Sequence, residues 1–104
     1  MQNKIDYNRF IKIYIIISCL LEIDSETVVE EINNKTYNSF IISILDERLK
    51  KEIDNKSDLE IAVESIKGIG GYGRIDKEYL DKILEIINKY KTDTIKKIKL
   101  EKDK

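Results

Sequence analysis

The chain of 104 residues contains no histidine, no proline and no tryptophan, and it has a single cysteine. Without histidine there is no imidazole to act as a general base, to bind a metal ion or to titrate near neutral pH. Cys19 alone can form neither an internal disulfide nor a thiolate metal cluster, which fits a reducing compartment. We therefore expect a cytoplasmic protein with no cofactor and no bound metal.

Catalysis in such a chain would have to rest on carboxylates, lysine, tyrosine or Cys19. Acidic pairs at helical spacing do occur, but each lies on a predicted solvent-facing side of a helix: Glu26 and Glu30, Glu60 and Glu64, Asp81 and Glu85. A solvated carboxylate keeps ordinary chemistry, and a domain of this size has little room to enclose a substrate pocket. We therefore predict that the protein is not an enzyme.

Long hydrophobic runs are also missing. The most apolar segment, residues 11–21, is interrupted by Lys12 and is shorter than the ~20 residues that cross a bilayer, so we expect no membrane partner. Residues 16–19 have the form of a lipobox ending at Cys19, which gives a lipidated cysteine as an alternative to a buried one. We interpret the segment as a helix over about residues 4–22, buried on most sides at the centre of a bundle.

Elsewhere the apolar residues recur at steps of three and four, which predicts an all-α fold of four or five short helices around the apolar N-terminal helix. The predicted helix starts are Asp24 or Ser25, Thr36, the Ser57–Glu60 capping box, and Asp76. We predict one helical domain over residues 1–92. Residues 93–104 are predicted to be a basic extension of the last helix or a frayed tail.

The charge is unevenly distributed, although the net charge is only −1. Residues 89–104 hold seven lysines against three acidic residues, whereas residues 1–88 hold 12 basic and 17 acidic side chains. The acidic excess is densest over residues 22–31. Charged patches of opposite sign indicate surfaces that contact a macromolecule, although a solvated tail has the same composition.

Glycine is scarce and confined to one place: all four glycines lie in the run Lys67-Gly68-Ile69-Gly70-Gly71-Tyr72-Gly73-Arg74. The first interpretation is a connector, with Gly68 ending one helix and the others allowing a tight turn. The second is a protein-binding loop, because Tyr72 and Arg74 are of the types enriched at interface hot spots. The run lacks the lysine–serine or lysine–threonine pair of a nucleotide-binding P-loop.

A third interpretation follows from residues 66–70, Ile-Lys-Gly-Ile-Gly, between two predicted helices. This pattern resembles the hairpin of helix-hairpin-helix domains. The resemblance covers about residues 59–87 and implies that backbone N–H groups of the glycine turn would contact a DNA phosphate. Lys67 and Arg74 would add positive charge beside it.

We predict that the chain is a small protein-binding regulator or inhibitor, of the type represented by immunity proteins, antitoxins and phage anti-defence proteins, from a bacterium or phage. The candidate contacts are the glycine run and the acidic region, namely Gly68, Ile69, Gly70, Gly71, Tyr72, Gly73, Arg74, Glu26 and Glu30. The first alternative is a DNA- or RNA-binding protein that uses Lys67, Arg74, Lys96, Lys97 and Lys99. The second is a structural subunit that self-associates, for example as a homodimer.

Overall fold

A computed structural model describes residues 7–50, 55–67, 69 and 75–98 of the chain. These residues form five α-helices and no strand: α1 (Tyr7–Leu20), α2 (Ser25–Asn34), α3 (Ser39–Leu49), α4 (Asp58–Lys67) and α5 (Lys77–Lys97). The prediction of a small all-α bundle of four to five helices is confirmed.

Helix α1 is the centre of the bundle and packs against each of the other four helices. Its isoleucines at 11, 13, 15, 16 and 17 are almost entirely buried, which places apolar side chains on nearly every side of the helix. Full burial of one such side chain contributes about 1.5–3 kcal/mol, so α1 supplies the largest share of the hydrophobic stabilisation. Cys19 is half-buried against this core, and burial raises the pKa of its thiol. Its lipidation stays an untested alternative.

The predicted helix starts at residues 24, 57 and 76 are confirmed. The Asp24 carboxylate accepts hydrogen bonds from the N–H groups of Glu26 and Thr27, at 3.1 and 3.2 Å. Ser57 and Glu60 form the reciprocal capping box: Glu60 N–H donates to Ser57 Oγ at 3.1 Å, and Ser57 N–H donates to Glu60 Oε1 at 2.9 Å. These bonds satisfy backbone donors that a helix start leaves unpaired.

The predicted cap at Thr36 is wrong, because α3 begins two residues later with Asn38 as its N-cap. The Asn38 side chain accepts hydrogen bonds from the N–H groups of Phe40 and Ile41, and its own N–H donates to Tyr14 Oη at 2.6 Å. Tyr37 lies outside the helix, with its ring edge-on to Phe10 and Tyr14 at centroid distances of 5.6 and 5.4 Å. Tyr37 has the spacing of the apolar residues that follow it in α3. Its position is nevertheless determined by aromatic packing against α1 and not by the helix.

An Asn38→Ala variant is expected to lower the free energy of unfolding by about 1 kcal/mol, the usual cost of removing an N-cap side chain. Thr36→Ala is the matched control and is expected to change it by less than about 0.5 kcal/mol, as for an ordinary surface site. Urea denaturation followed by circular dichroism measures both. An equal loss in the two variants would contradict the assignment of Asn38 as the cap.

Helix α5 runs without a break through residues 92–94 and ends at Lys97, and most of its residues are half-buried or exposed. Its two buried residues are Ile87 and Thr94, and the Thr94 hydroxyl lies 2.8 Å from Ser25 Oγ. Leu80 and Ile83 of the first half are partly buried against the core, but three other large apolar side chains are exposed: Tyr79 by 44%, Leu84 by 40% and Ile86 by 61%. The first half of α5 therefore packs on the core with one side and leaves apolar surface uncovered on others.

Candidate functional site

A groove of about 420 Å³ lies between α4 and the first half of α5. The two helices do not pack on one another, since within the described part of the chain no Cα atom of α4 comes within 8 Å of a Cα atom of α5. Helix α1 packs against both α4 and α5. We call this depression the α4–α5 groove.

Each wall of the α4–α5 groove is one face of a helix, and the two faces have the same residue spacing. The α4 wall consists of Leu59, Glu60, Val63, Glu64 and Lys67. The α5 wall consists of Asp76, Lys77, Leu80, Asp81 and Leu84, preceded by Ile75. Positions i, i+1, i+4, i+5 and i+8 share one side of an α-helix, so each wall presents a continuous face.

The base of the α4–α5 groove is apolar. Val63 and Ile75 are buried, Leu59 and Leu80 are half-buried, and Leu84 is exposed at one end. Among the described residues, α4 does not pack against α5, and Leu84 is left exposed on this side. An apolar depression with an uncovered leucine is a feature of surfaces that bind other molecules.

Two of the four carboxylates on the rim already have cationic partners. Glu64 Oε1 accepts a hydrogen bond from Arg48 Nη2, and Lys56 Nζ lies 3.6 Å from Glu64 Oε2. Partial desolvation opposes ionisation of Glu64, but the hydrogen bond from Arg48 and the charges of Arg48 and Lys56 outweigh it and lower the pKa of this carboxyl. Asp81 pairs with Lys77 at 3.6 Å.

The other two rim carboxylates, Glu60 and Asp76, have no cationic side chain within 4 Å among the described residues. Each is held in place by its own helix cap. Glu60 Oε1 accepts the Ser57 N–H at 2.9 Å, and Asp76 Oδ1 accepts the Tyr79 N–H at 3.0 Å. Each carboxylate therefore keeps one oxygen fixed and one oxygen available at the rim.

The glycine run predicted as the site connects the two walls of the groove in sequence. Lys67 lines the α4–α5 groove, and Ile69 is half-buried with its N–H bonded to the Ile66 carbonyl at 3.0 Å. The remaining predicted loop residues lie outside the described part of the chain: Gly68, Gly70, Gly71, Tyr72, Gly73 and Arg74. Their predicted role in binding stays a prediction.

The acidic and basic candidates at the other end of the molecule meet at one shallow depression. Glu26 and Glu30 are exposed on α2, and Lys97 of α5 lines the same depression beside them and Asp24. Lys96 is exposed on the last turn of α5, whereas Lys99 lies outside the described residues. The fold thus brings the acidic region and one lysine of the basic segment together.

The α4–α5 groove was not predicted from the sequence, because Leu59, Val63, Leu80 and Leu84 fit the steps of three and four that are typical of a core-facing helix side. A signal was present in the sequence. Leu59-Glu60 and Val63-Glu64 in α4, and Leu80-Asp81 in α5, each place an apolar residue next to a carboxylate. An apolar residue beside a carboxylate, repeated every four residues, marks the edge of a helix face rather than its centre. Such a helix edge lines a groove only where the neighbouring helix does not pack against it, as for α4 and α5 here.

The described residues include no group of three His, Cys, Asp or Glu side chains that could hold a metal ion. Within the same ranges, no helix is long and apolar enough to cross a membrane.

The described lining of the α4–α5 groove has no serine, threonine, cysteine or tyrosine, so no hydroxyl or thiol nucleophile faces it. The described lining combines an apolar base with a charged rim. No protein-family model matches this chain, and no curated protein or solved structure is significantly similar to it.

Proposed function

We propose that this protein is a small regulator or inhibitor that acts by binding another protein through the α4–α5 groove. Immunity proteins, antitoxins and phage anti-defence proteins represent this type of function. The observation that carries the proposal is the uncovered apolar surface of the groove, where Leu84 is 40% exposed above the buried Val63 and Ile75. Protein interfaces have such an apolar centre within a polar rim.

Further apolar side chains are exposed on the helix that forms one wall of the groove. Tyr79 and Ile86 lie on the first half of α5 but do not line the groove, and Ile86 lines a separate depression with Ser25 and Tyr90. Large aromatic and aliphatic side chains at an interface contribute most of the binding free energy when a partner excludes water from them. These two side chains offer a protein partner apolar contacts on other faces of α5.

The distribution of charge favours a protein over a nucleic acid. Lys67 shares the α4–α5 groove with four carboxylates, and Lys97 shares its depression with three. Nucleic acids bind to clustered cations that neutralise phosphates, and carboxylates at the same surface repel the phosphate backbone.

The self-association alternative predicts a melting temperature that rises with protein concentration.

A Leu84→Glu variant is expected to lose its partner while keeping its fold. Affinity capture from the native host, with the wild-type chain as bait, should retain a protein at near-stoichiometric yield. The charged side chain at the end of the groove should weaken that complex by about 30-fold or more, the effect of losing one hot-spot residue. Thermal unfolding by circular dichroism checks that the variant remains folded.

Phe40→Glu is the matched control, because Phe40 is also an exposed apolar residue but lies on α3 outside the groove. It should capture the partner as the wild type does. Capture that survives Leu84→Glu would refute the groove as the binding site. Recovery of nucleic acid that is lost steeply with added salt would instead support the nucleic-acid alternative.

A further inference from the structure

We infer that the α4–α5 groove accepts an amphipathic α-helix of the partner protein, with lysine or arginine on both sides of its apolar stripe. This inference rests on the proposed function and adds the chemistry of the partner. It depends on three features of the described residues: the separation of the two walls, the apolar base, and the position of the two unpaired carboxylates.

The shape of the groove fits a helix. Each wall spans nine residues, from Leu59 to Lys67 and from Asp76 to Leu84, and the eight steps between them give about 12 Å at 1.5 Å per residue, or a little over two turns. The walls belong to two helices that have no Cα atoms within 8 Å of one another along their described length, so a partner helix that docks here would contact both walls. A peptide that binds by adding a strand would need the edge of a sheet, and the described residues form no strand.

The base of the groove provides contacts along the length of such a helix. Val63 and Ile75 lie at the bottom, and Leu84 is exposed at one end. Apolar side chains at positions i, i+3 or i+4, and i+7 of a helix lie in one line and match a base of this length. The partner helix would therefore bury Leu84 together with its own apolar stripe.

The rim determines the charge of the partner helix. Glu60 stands on the α4 wall and Asp76 on the α5 wall, so one unpaired carboxylate lies on each side of the apolar base. The cap hydrogen bonds from Ser57 and Tyr79 fix these two carboxylates before a partner arrives. Fixed acceptors lose little conformational entropy on binding, so they favour a cation that docks against their free oxygens.

The other charges on the rim are compatible with this arrangement. Lys77 lies 3.6 Å from Asp81, and Glu64 contacts Arg48 and Lys56, so each of these groups already has a partner of opposite charge in the protein. Lys67 stands at the last residue of α4, where the glycine run begins. The cations of the partner are therefore expected opposite Glu60 and Asp76.

Synthetic peptides test the inference without knowledge of the partner. The first is a helical peptide of about 18 residues, long enough for about five turns, with leucines at i, i+3, i+4 and i+7 flanked by lysines. The second carries glutamate in place of every lysine, and the third is a scrambled peptide of the first composition. Binding is followed by ¹⁵N chemical shifts of the labelled protein during titration of each peptide.

The lysine peptide is expected to bind with shifts concentrated at Leu59, Leu80 and Leu84, and more tightly than the other two. The double variant Glu60→Gln/Asp76→Asn keeps both cap acceptors but removes both charges, and it should weaken binding by about tenfold. Glu78→Gln/Glu85→Gln removes the same charge from exposed α5 residues outside the groove and is the matched control.

Equal binding of the glutamate or scrambled peptide, shifts away from the groove, or no binding at about 1 mM peptide would overturn the inference. If no peptide binds but Leu84→Glu still releases the captured host protein, the helix inference fails and the proposed function stands. If the lysine peptide binds in the groove but no host protein depends on Leu84, the helix inference stands and the proposed function fails.

Discussion

A Tyr14→Phe variant is expected to lose about 3 kcal/mol of its free energy of unfolding, although the substitution removes one oxygen atom. The Tyr14 ring is fully buried in α1, and its hydroxyl donates to Glu31 Oε1 at 2.7 Å and accepts the Asn38 N–H at 2.6 Å. One hydroxyl therefore joins α1 to α2 and to the start of α3. Without this hydroxyl, the half-buried Glu31 carboxylate and the Asn38 N–H both lose their hydrogen-bond partner.

Tyr37→Phe is the matched control for that measurement. The Tyr37 hydroxyl lies 3.2 Å from the Tyr7 hydroxyl in an exposed contact, so water can replace the bond. Its loss should cost less than about 1 kcal/mol. Urea denaturation of both variants measures the difference, and similar losses would mean that the hydrogen bonds of Tyr14 do not stabilise the junction of the three helices.

The stability of the protein is expected to fall steeply above about pH 10, by up to about 2.7 kcal/mol per pH unit. Burial is the main cause that raises the pKa values of Tyr14 and Tyr90 above the ordinary value of a tyrosine. Above the pKa of the unfolded chain, the folded state holds these protons and the unfolded state releases them. Each such group then lowers the free energy of unfolding by about 1.36 kcal/mol per pH unit.

Urea denaturation at intervals from about pH 8 to pH 11, together with the absorbance of the phenolate at 295 nm, measures this effect. The stability from these tyrosines should be fully present below about pH 9 and be lost as the pH rises. Lysine titration also changes in this range, so the informative quantity is the difference between wild type and Tyr14→Phe, which removes the fully buried hydroxyl. That variant should show a slope shallower by about 1.36 kcal/mol per pH unit. An unchanged slope would contradict burial as the cause.

The features that the sequence predicts well are those decided within a few residues. The Ser57–Glu60 box and the Asp24 and Asp76 caps depend on hydrogen bonds between near neighbours, and the structure forms all of them. The central position of α1 was also predictable, because a helix that is apolar on all sides can only be buried at the middle of a bundle. Local chemistry suffices in each of these cases.

The features that the sequence did not predict depend on distant parts of the chain. Thr36 and Asn38 are both residue types that cap helices. The N–H of Asn38, the residue that caps α3, bonds to the Tyr14 hydroxyl, which is 24 residues away in the sequence. The α4–α5 groove exists because two apolar faces remain separated, which no local pattern encodes. Leu84 has the spacing of a core residue, but it lies at the surface because α4 and α5 do not pack on one another within the described part of the chain.

The burial of α1 on nearly every side has a consequence for the synthesis of the chain on the ribosome. Helices α4 and α5, which cover much of α1, are translated after it, and the core extends as far as Ile98. At about 5–20 residues per second, roughly 4–16 seconds pass between completion of α1 and translation of Ile98. Until α4 and α5 have been translated, the side chains of α1 that pack against these two helices remain uncovered. Such a segment is a binding site for chaperones that protect unfinished chains from aggregation.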